Sequence, residues 1–434
     1  MKQQTKNPRA VAFEALKKCE ASGQFSNIAL DLALKRNELS QSDRALVTTL
    51  FYGVIERKIT LDYFIAALSS RPLDEIDRDT RMLLRLGVYQ LRFLDRVPDH
   101  AAINETVSLA SSKTKGFVNA VLRSYTREVH KIELPRAEDG EARSLSVRFS
   151  VCEELAEKFI SVFGYERSES IFSSIEGKDA ITVRTNTLRI SRDELCEKFS
   201  GEKTALSPVG IKTSGQVTSL YGYDEGLFYV QDEASQICAM ALGARRGERV
   251  VDTCSCPGSK SFGIALDMCN EGELWSFDLH ANKLSLVSAS AKRLGIDIIK
   301  TEERDARKPC EELIGNVDKV LCDVPCSGFG VLKKKPELRY KSPEVSAALP
   351  AIQYDILCNS ARYLRAGGTL VYSTCTVFPE ENERNIEKFL TEHSEFSLAP
   401  FEVGAFRCER GMVTLLPDEY GTDGFFIAKL IKNS

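Results

Sequence analysis

The sequence predicts a multidomain chain in three parts: an all-helical front, a small α+β module and a C-terminal doubly wound α/β domain. Three observations carry this. Apolar residues recur every three to four positions up to about residue 135, with no β-rich window between them. From about residue 244, short apolar runs alternate with helical stretches, the rhythm of a largely parallel sheet. And 434 residues exceed what one compact core holds. The boundaries fall at 1–135, 145–243 and 244–434.

In the front segment, helical periodicity covers residues 9–19, 27–35, 43–55, 61–68, 79–91 and 104–110, and Pro72 and Pro98 punctuate the later ones. Residues 134–144 contain Pro135, Gly140 and five charged side chains and read as a connection. The middle module mixes helical stretches (154–162, 191–199) with strand-like ones (180–185, 226–230). In the last segment, strands are expected at 249–253, 273–278, 298–301, 319–323, 369–373 and 425–430, with helices at 283–294 and 352–364.

Composition narrows the class. Hydrophobic residues make up 43% and charged residues 28%, which excludes long disorder. No stretch approaches the roughly 20 apolar residues of a membrane helix. The first nine residues are polar and basic and lack the apolar core of a secretory signal. A cytoplasmic protein is expected. The 13 cysteines suit free thiols in a reducing compartment rather than a small disulfide scaffold. Net charge is −4, yet residues 1–136 hold 22 basic against 16 acidic side chains. That asymmetry is compatible with local contacts to a polyanion, and is also common in ordinary helical domains.

Ligands of an open parallel sheet bind at the carboxyl ends of its strands. Five such ends carry polar chemistry here: Asp252-Thr-Cys-Ser-Cys-Pro-Gly-Ser-Lys260, Asp278, Asp305, Asp323-Val-Pro-Cys-Ser-Gly328 and Ser373-Thr-Cys375. Gly258 allows close backbone approach. The first loop matches neither phosphate-binding glycine pattern. Asp278, 26 residues beyond Asp252, stands where a ribose hydroxyl pair is held. A nucleoside ligand without phosphates fits, and S-adenosylmethionine is the usual one. Structural zinc is not expected, because the C-x-x-C pairs are missing and the four histidines are scattered.

These motifs, with Asp423-Gly-Phe-Phe426 and Val230-Gln-Asp-Glu-Ala-Ser235, resemble the RNA cytosine-5 methyltransferase family in order and spacing along the whole C-terminal domain. The front, most clearly Phe117-Val-Asn-Ala-Val-Leu-Arg123, resembles a NusB-type RNA-binding domain. The combination implies a Rossmann-like catalytic domain that methylates a cytosine of small-subunit (16S) ribosomal RNA. The family's first loop reads D-x-C-A-A-P-G-G-K-T; here Ser255 and Cys256 replace the alanines, Ser259 the second glycine and Ser261 the threonine. Val324 replaces the alanine of D-A-P-C-S.

The resemblance implies roles. Cys375 attacks carbon 6 of cytosine, making carbon 5 nucleophilic, and Cys326 serves product release. Such covalent catalysis splits one hard step into easier ones, and a thiolate suits it. Asp323 holds the pyrimidine near the methyl donor. Cys254, Ser255, Cys256, Pro257, Gly258, Ser259 and Lys260 wrap the methionine end of S-adenosylmethionine, Asp278 takes the ribose, Asp305 the adenine side, and Asp323 the methionine end again. Either cysteine alone reads equally as a buried inert thiol, and Lys260 as a solvated loop lysine. A helix starting near Pro379-Glu380 is expected to favour the Cys375 thiolate through its dipole. Lys333, Lys334, Lys335 and Arg339 are candidate phosphate contacts or a solvated basic loop. The target base must be unpaired or flipped out. A monomer without metal, acting on ribosomal RNA, is expected. A tRNA cytosine-5 methyltransferase and a non-catalytic RNA-binding assembly factor are the alternatives.

Overall fold

A computed structural model describes residues 7–22, 26–177 and 180–433. Residues 1–6, the start of the basic N-terminus noted above, lie outside the described residues. The chain divides into two compact units. One takes the chain up to Glu176 together with Leu332–Pro343, and the other takes Gly177–Val331 and Glu344 onward.

Ten α-helices are described in the first unit: α1 (Pro8–Ser22), α2 (Ser26–Lys35), α3 (Gln41–Glu56), α4 (Lys58–Leu68), α5 (Arg78–Phe93), α6 (Asp99–Ser108), α7 (Lys115–Glu128), α8 (Glu141–Phe149), α9 (Glu153–Phe163) and α10 (Tyr165–Ser174). Caps set their starts. The Ser40 hydroxyl accepts the Asp43 N–H at 3.1 Å before α3, and Asp77 accepts the Thr80 N–H at 3.0 Å before α5. α5 buries Met82, Leu83, Leu86 and Tyr89 in a core shared with Phe51, Phe64 and Leu122. Each such side chain contributes about 1.5–3 kcal/mol by leaving water. Gly53 lets Tyr89 lie against the α3 backbone; a Cβ there would stand 1.9 Å from the ring. The sequence boundary at 145 differs from these contacts, since α8, α9 and α10 belong to the helical unit. Residues 134–144 are also not simply a connection, because α8 starts at Glu141.

The basic segment after the fourth-strand motif departs most from expectation. Arg339 does not lie out at a phosphate site. It is 2% exposed and donates from Nη1 to the Glu56 and Phe149 carbonyls (3.2 and 3.5 Å), and from Nη2 to the Ile175 carbonyl at 3.4 Å. These carbonyls end α3 and α8 and follow α10, where helices leave acceptors unpaired. The Lys333 ammonium donates to the Ser174 carbonyl at 3.4 Å in the same unit.

The second unit opens with β1 (Ile181–Thr185), α11 (Arg192–Phe199), β2 (Glu202–Lys203), β3 (Gly210–Thr213) and β4 (Phe228–Val230). The strands form an antiparallel sheet in the order β2-β3-β1-β4. Next come α12 (Glu233–Ala241), β5 (Arg249–Asp252), α13 (Ser259–Asp267), β6 (Glu273–Asp278), α14 (Ala281–Leu294), β7 (Ile299–Glu303), β8 (Val317–Asp323), α15 (Leu349–Tyr363) and β9 (Leu364–Thr374). The chain ends with α16 (Glu383–Glu392), β10 (Phe396–Leu398), β11 (Phe401–Val403), β12 (Phe406–Cys408), β13 (Met412–Leu415), α17 (Pro417–Tyr420) and β14 (Phe425–Lys432).

The large sheet runs β10-β14-β9-β8-β5-β6-β7, with β13 also on β14. β5 to β9 are mutually parallel; β14 returns antiparallel to β9. This is the Rossmann-like mixed sheet. Neighbouring residues on each strand feed opposite cores. Val250, Leu321, Val371 and Ile427 enter one, and Val251, Val320, Leu370 and Phe426 the other. A sheet covered on both faces therefore needs unbroken apolar runs, as the sequence has. Among the described residues no helix is long and apolar enough to cross a membrane, and no His/Cys/Asp/Glu group could hold a metal.

Candidate active site

The register of β8 on β9 explains how distant motifs meet. Asp323 pairs directly with Ser373, so Cys326 and Cys375 follow a matched pair by three and two residues. Their sulfurs lie 3.1 Å apart, and the Cys375 N–H donates to the Cys326 Sγ at 3.2 Å. The Cys375 partner, burial and the like charge that Cys375 would carry all push the Cys326 thiol well above its ordinary range. Two adjacent thiols cannot both ionise cheaply.

Asp323 is held from two sides. Lys260 Nζ donates to Oδ2 at 2.8 Å, and Ser373 Oγ to Oδ1 at 2.7 Å. Lys260 is not a solvated loop lysine. Its side chain is 12% exposed and its ammonium stands 5.0 Å from the centre of the Phe425 ring. Burial pulls its pKa down, but Asp323, with the Cys238 and Cys375 sulfurs behind it, pushes it up further, and the net shift is upward. Lys260 is therefore a fixed positive charge, and its field reaches Cys375. The helix expected at Pro379 does not supply one: α16 starts only at Glu383. Asn382 bonds back to the Thr376 carbonyl (3.0 Å) and the Thr374 hydroxyl (2.6 Å), which keeps residues 376–382 in a tight loop.

The first loop, from Thr253 to Gly258, crosses the ends of β5 and β6, where the Ser255 N–H donates to the Phe277 carbonyl at 2.7 Å. Gly258 has φ +105°, and a Cβ there would stand 2.6 Å from the Phe262 ring, so glycine is required. Gln231 Nε2 donates to the Ser259 carbonyl at 3.1 Å and ties the Val230–Ser235 stretch to this loop. Asp252 is buried, accepts the Ser261 hydroxyl at 2.6 Å, and is lifted by burial to about 7. Burial above all, with nearby acids, pushes up the Cys254 and Cys256 thiols too, Cys256 to about 12, which disfavours their thiolates. Asp278 accepts the His280 N–H at 3.0 Å. Asp305 differs, since both its oxygens are engaged by Arg307 (3.0 and 2.8 Å) and a ligand there meets an ion pair.

All the strand-end residues singled out in the sequence thus lie on one sheet unit. Sequence reasoning named Ser373 in its strand-end motif but gave it no role, which its register against Asp323 supplies. It passed over Gln353 and Glu381, which are far from each other and from Cys326 along the chain.

Residues 239–431 match the family described as 16S rRNA methyltransferase RsmB/F, and residues 6–127 match the NusB family. Over 98% of both chains, the protein is 38% identical to a probable ribosomal RNA small subunit methyltransferase B of Bacillus subtilis. The chain belongs to the ribosomal RNA small subunit methyltransferase B family. It is also 31% identical to the methyltransferase B of Erwinia tasmaniensis over the full length of both. Among solved structures, the crystal structure of PH0851 superposes with a TM-score of 0.79 at 27% identity, covering 99% of this chain and all of that one. A methyltransferase homolog protein from Pyrococcus horikoshii gives 0.59 at 27% identity, over 68% of this chain and 99% of that one.

The methyl donor of the family is S-adenosylmethionine. The residues fit it on their own chemistry. Ser255 is 5% exposed, and among the described residues its buried hydroxyl meets no oxygen or nitrogen partner, leaving a donor in the loop that would wrap the methionine end. The departures from the family pattern therefore add polar groups to this loop without closing the Gly258 cradle.

Proposed function

We propose that the protein methylates carbon 5 of one cytosine in 16S ribosomal RNA through a covalent bond between Cys375 and carbon 6. The observation that carries this is the pair of thiols 3.1 Å apart beside the Asp323–Lys260 ion pair.

Lys260 favours the anionic form of Cys375, which adds to carbon 6 and pushes the ring electrons toward carbon 5. When bound, S-adenosylmethionine supplies an electrophilic methyl group for that carbon; Cys254–Lys260, Asp278 and Asp305 would hold it. Asp323, fixed by Lys260 and Ser373, keeps acceptor lone pairs for the cytosine amino edge. Once its sulfur is bonded to carbon, Cys375 no longer opposes ionisation of Cys326. The second thiol, which is only partly buried, can then give its proton to solvent and act as base. The carbon 5 proton passes to Cys326, the electron pair restores the 5,6 double bond, and the bond to Cys375 breaks. The reacting base must leave its helical stack to reach either sulfur. The NusB-like helices bind ribosomal RNA in this scheme, and the reaction takes place in the cytoplasm.

Bisulfite mapping of rRNA and tRNA from cells with and without the gene tests the reading. One 16S cytosine should lose protection when the gene is absent. Loss at a tRNA cytosine instead would move the substrate to tRNA, and no change anywhere would leave a non-catalytic RNA binder.

A further inference from the structure

The loop between Cys375 and α16 returns to the Pro-Cys motif. Glu381 on that loop is 4% exposed, and Gln353 on α15 is fully buried. Glu381 Oε2 accepts the Ser327 N–H at 3.0 Å and the Gln353 amide at 2.7 Å. The same amide nitrogen donates to the Pro325 carbonyl at 3.0 Å. The residues on both sides of Cys326 are therefore gripped by one carboxylate–carboxamide pair. The pair is anchored in turn to β9, the strand that leads into Cys375, because the Tyr372 hydroxyl donates to the Glu381 carbonyl at 2.6 Å. Nothing in the attack by Cys375 calls for this carboxylate. A buried carboxylate is costly unless it is fully used.

We infer that Glu381, with Gln353, is a positioning residue for the release step: it fixes Cys326 over the carbon 5 proton after methyl transfer. This rests on the covalent mechanism proposed above. In that step the carbon 5–hydrogen bond breaks and the proton goes to the Cys326 thiolate, the freed electron pair re-forms the 5,6 double bond, and the pair of the carbon 6–sulfur bond leaves with Cys375. The carboxylate also raises the proton affinity of Cys326 through its charge, which strengthens the thiolate as a base when its turn comes.

The test follows methyl transfer from labelled S-adenosylmethionine to 16S rRNA, with protein–RNA adduct read on a denaturing gel. Glu381→Ala should keep the first methylation but slow repeated turnover by about 10²-fold, as misplacement of a reacting group does. It should also accumulate adduct, as Cys326→Ala does. Glu381→Gln keeps an oxygen acceptor but drops the charge. It should restore most turnover and move the pH profile of release to lower pH, because removal of a negative neighbour lowers the Cys326 pKa. Wild-type turnover in Glu381→Ala, or slow turnover without adduct, overturns the inference. If Glu381→Ala does not fold by thermal melting, Gln353→Met decides by the same two readouts. Absence of adduct in Cys326→Ala would sink the covalent mechanism and this inference with it. Adduct in Cys326→Ala but not in Glu381→Ala sinks this inference alone.

Discussion

Lys260 in the sheet unit and Arg339 in the helical unit are both buried cations, and they do opposite things. Lys260 stands at strand ends, paired with one carboxylate and within electrostatic reach of two sulfurs. Its positive charge is only partly used by the fold, so it can act on what arrives. Arg339 meets carbonyls from three helix ends and from Leu332 at 3.2 Å, and its charge is spent on closing the dipoles of those helices. The lesson is that a buried cation becomes chemical where the fold leaves its partner set open, at the carboxyl edge of a parallel sheet. Where carbonyls complete the set it is scaffold.

Substitutions can break or sharpen this contrast. The largest effect should fall on the nucleophilic sulfur, Cys375. Cys375→Ala should lower methyl transfer by about 10⁴-fold or more, as loss of a nucleophile does, with thermal melting unchanged. Next is Arg339→Met, which leaves several buried carbonyls without a donor. It should lower stability in urea titrations by about 1–3 kcal/mol for each carbonyl left unsatisfied. S-adenosylmethionine affinity measured below the transition should stay near wild type. Lys260→Met should do the reverse. Methyl transfer should drop by about 10²-fold while stability falls less than in Arg339→Met, because the aliphatic stem is kept and the one stranded partner, Asp323, is a quarter exposed. Arg339→Met and Lys260→Met giving the same profile would end the distinction.

The smallest effect is a pH dependence at Asp252. Burial lifts its carboxyl from 3.8 to about 7 in the folded protein. Between these values the folded state keeps a proton that the unfolded state has lost. This group therefore removes stability as pH rises from about 4 to about 7, with no further loss above. Asp252→Asn should flatten that slope, so its stability relative to wild type should be more favourable at pH 8 than at pH 4.5, by about 1–3 kcal/mol. Urea titrations of ligand-free protein at both pH values check it. An unchanged difference between the two would contradict the buried carboxyl.

The parallel core was legible because strands buried on both faces read as continuous apolar runs, as at Val250-Val251 and Val320-Leu321. The strand-end acids and cysteines followed once that edge was placed. The C-terminal strands of three or four residues, such as Phe401–Val403 and Phe406–Cys408, were not, since nothing so short shows a period. Arg339 was misread from the charge of Lys333-Lys-Lys335. The better signal was Pro336 and Leu338, apolar residues beside it that are buried in the helical unit. Pro379 suggested a helix start, but Asn382 bonds back into the loop and delays it. Gln353 and Glu381 left no local trace, because a buried polar pair is justified only by backbone groups brought in from elsewhere in the chain.

The covalent assignment is tested most directly by trapping. Cys326→Ala incubated with 16S rRNA and S-adenosylmethionine should accumulate a protein–RNA adduct that survives denaturation, and Cys326→Ala/Cys375→Ala should form none. An adduct persisting in the double variant would contradict the assignment of attack to Cys375.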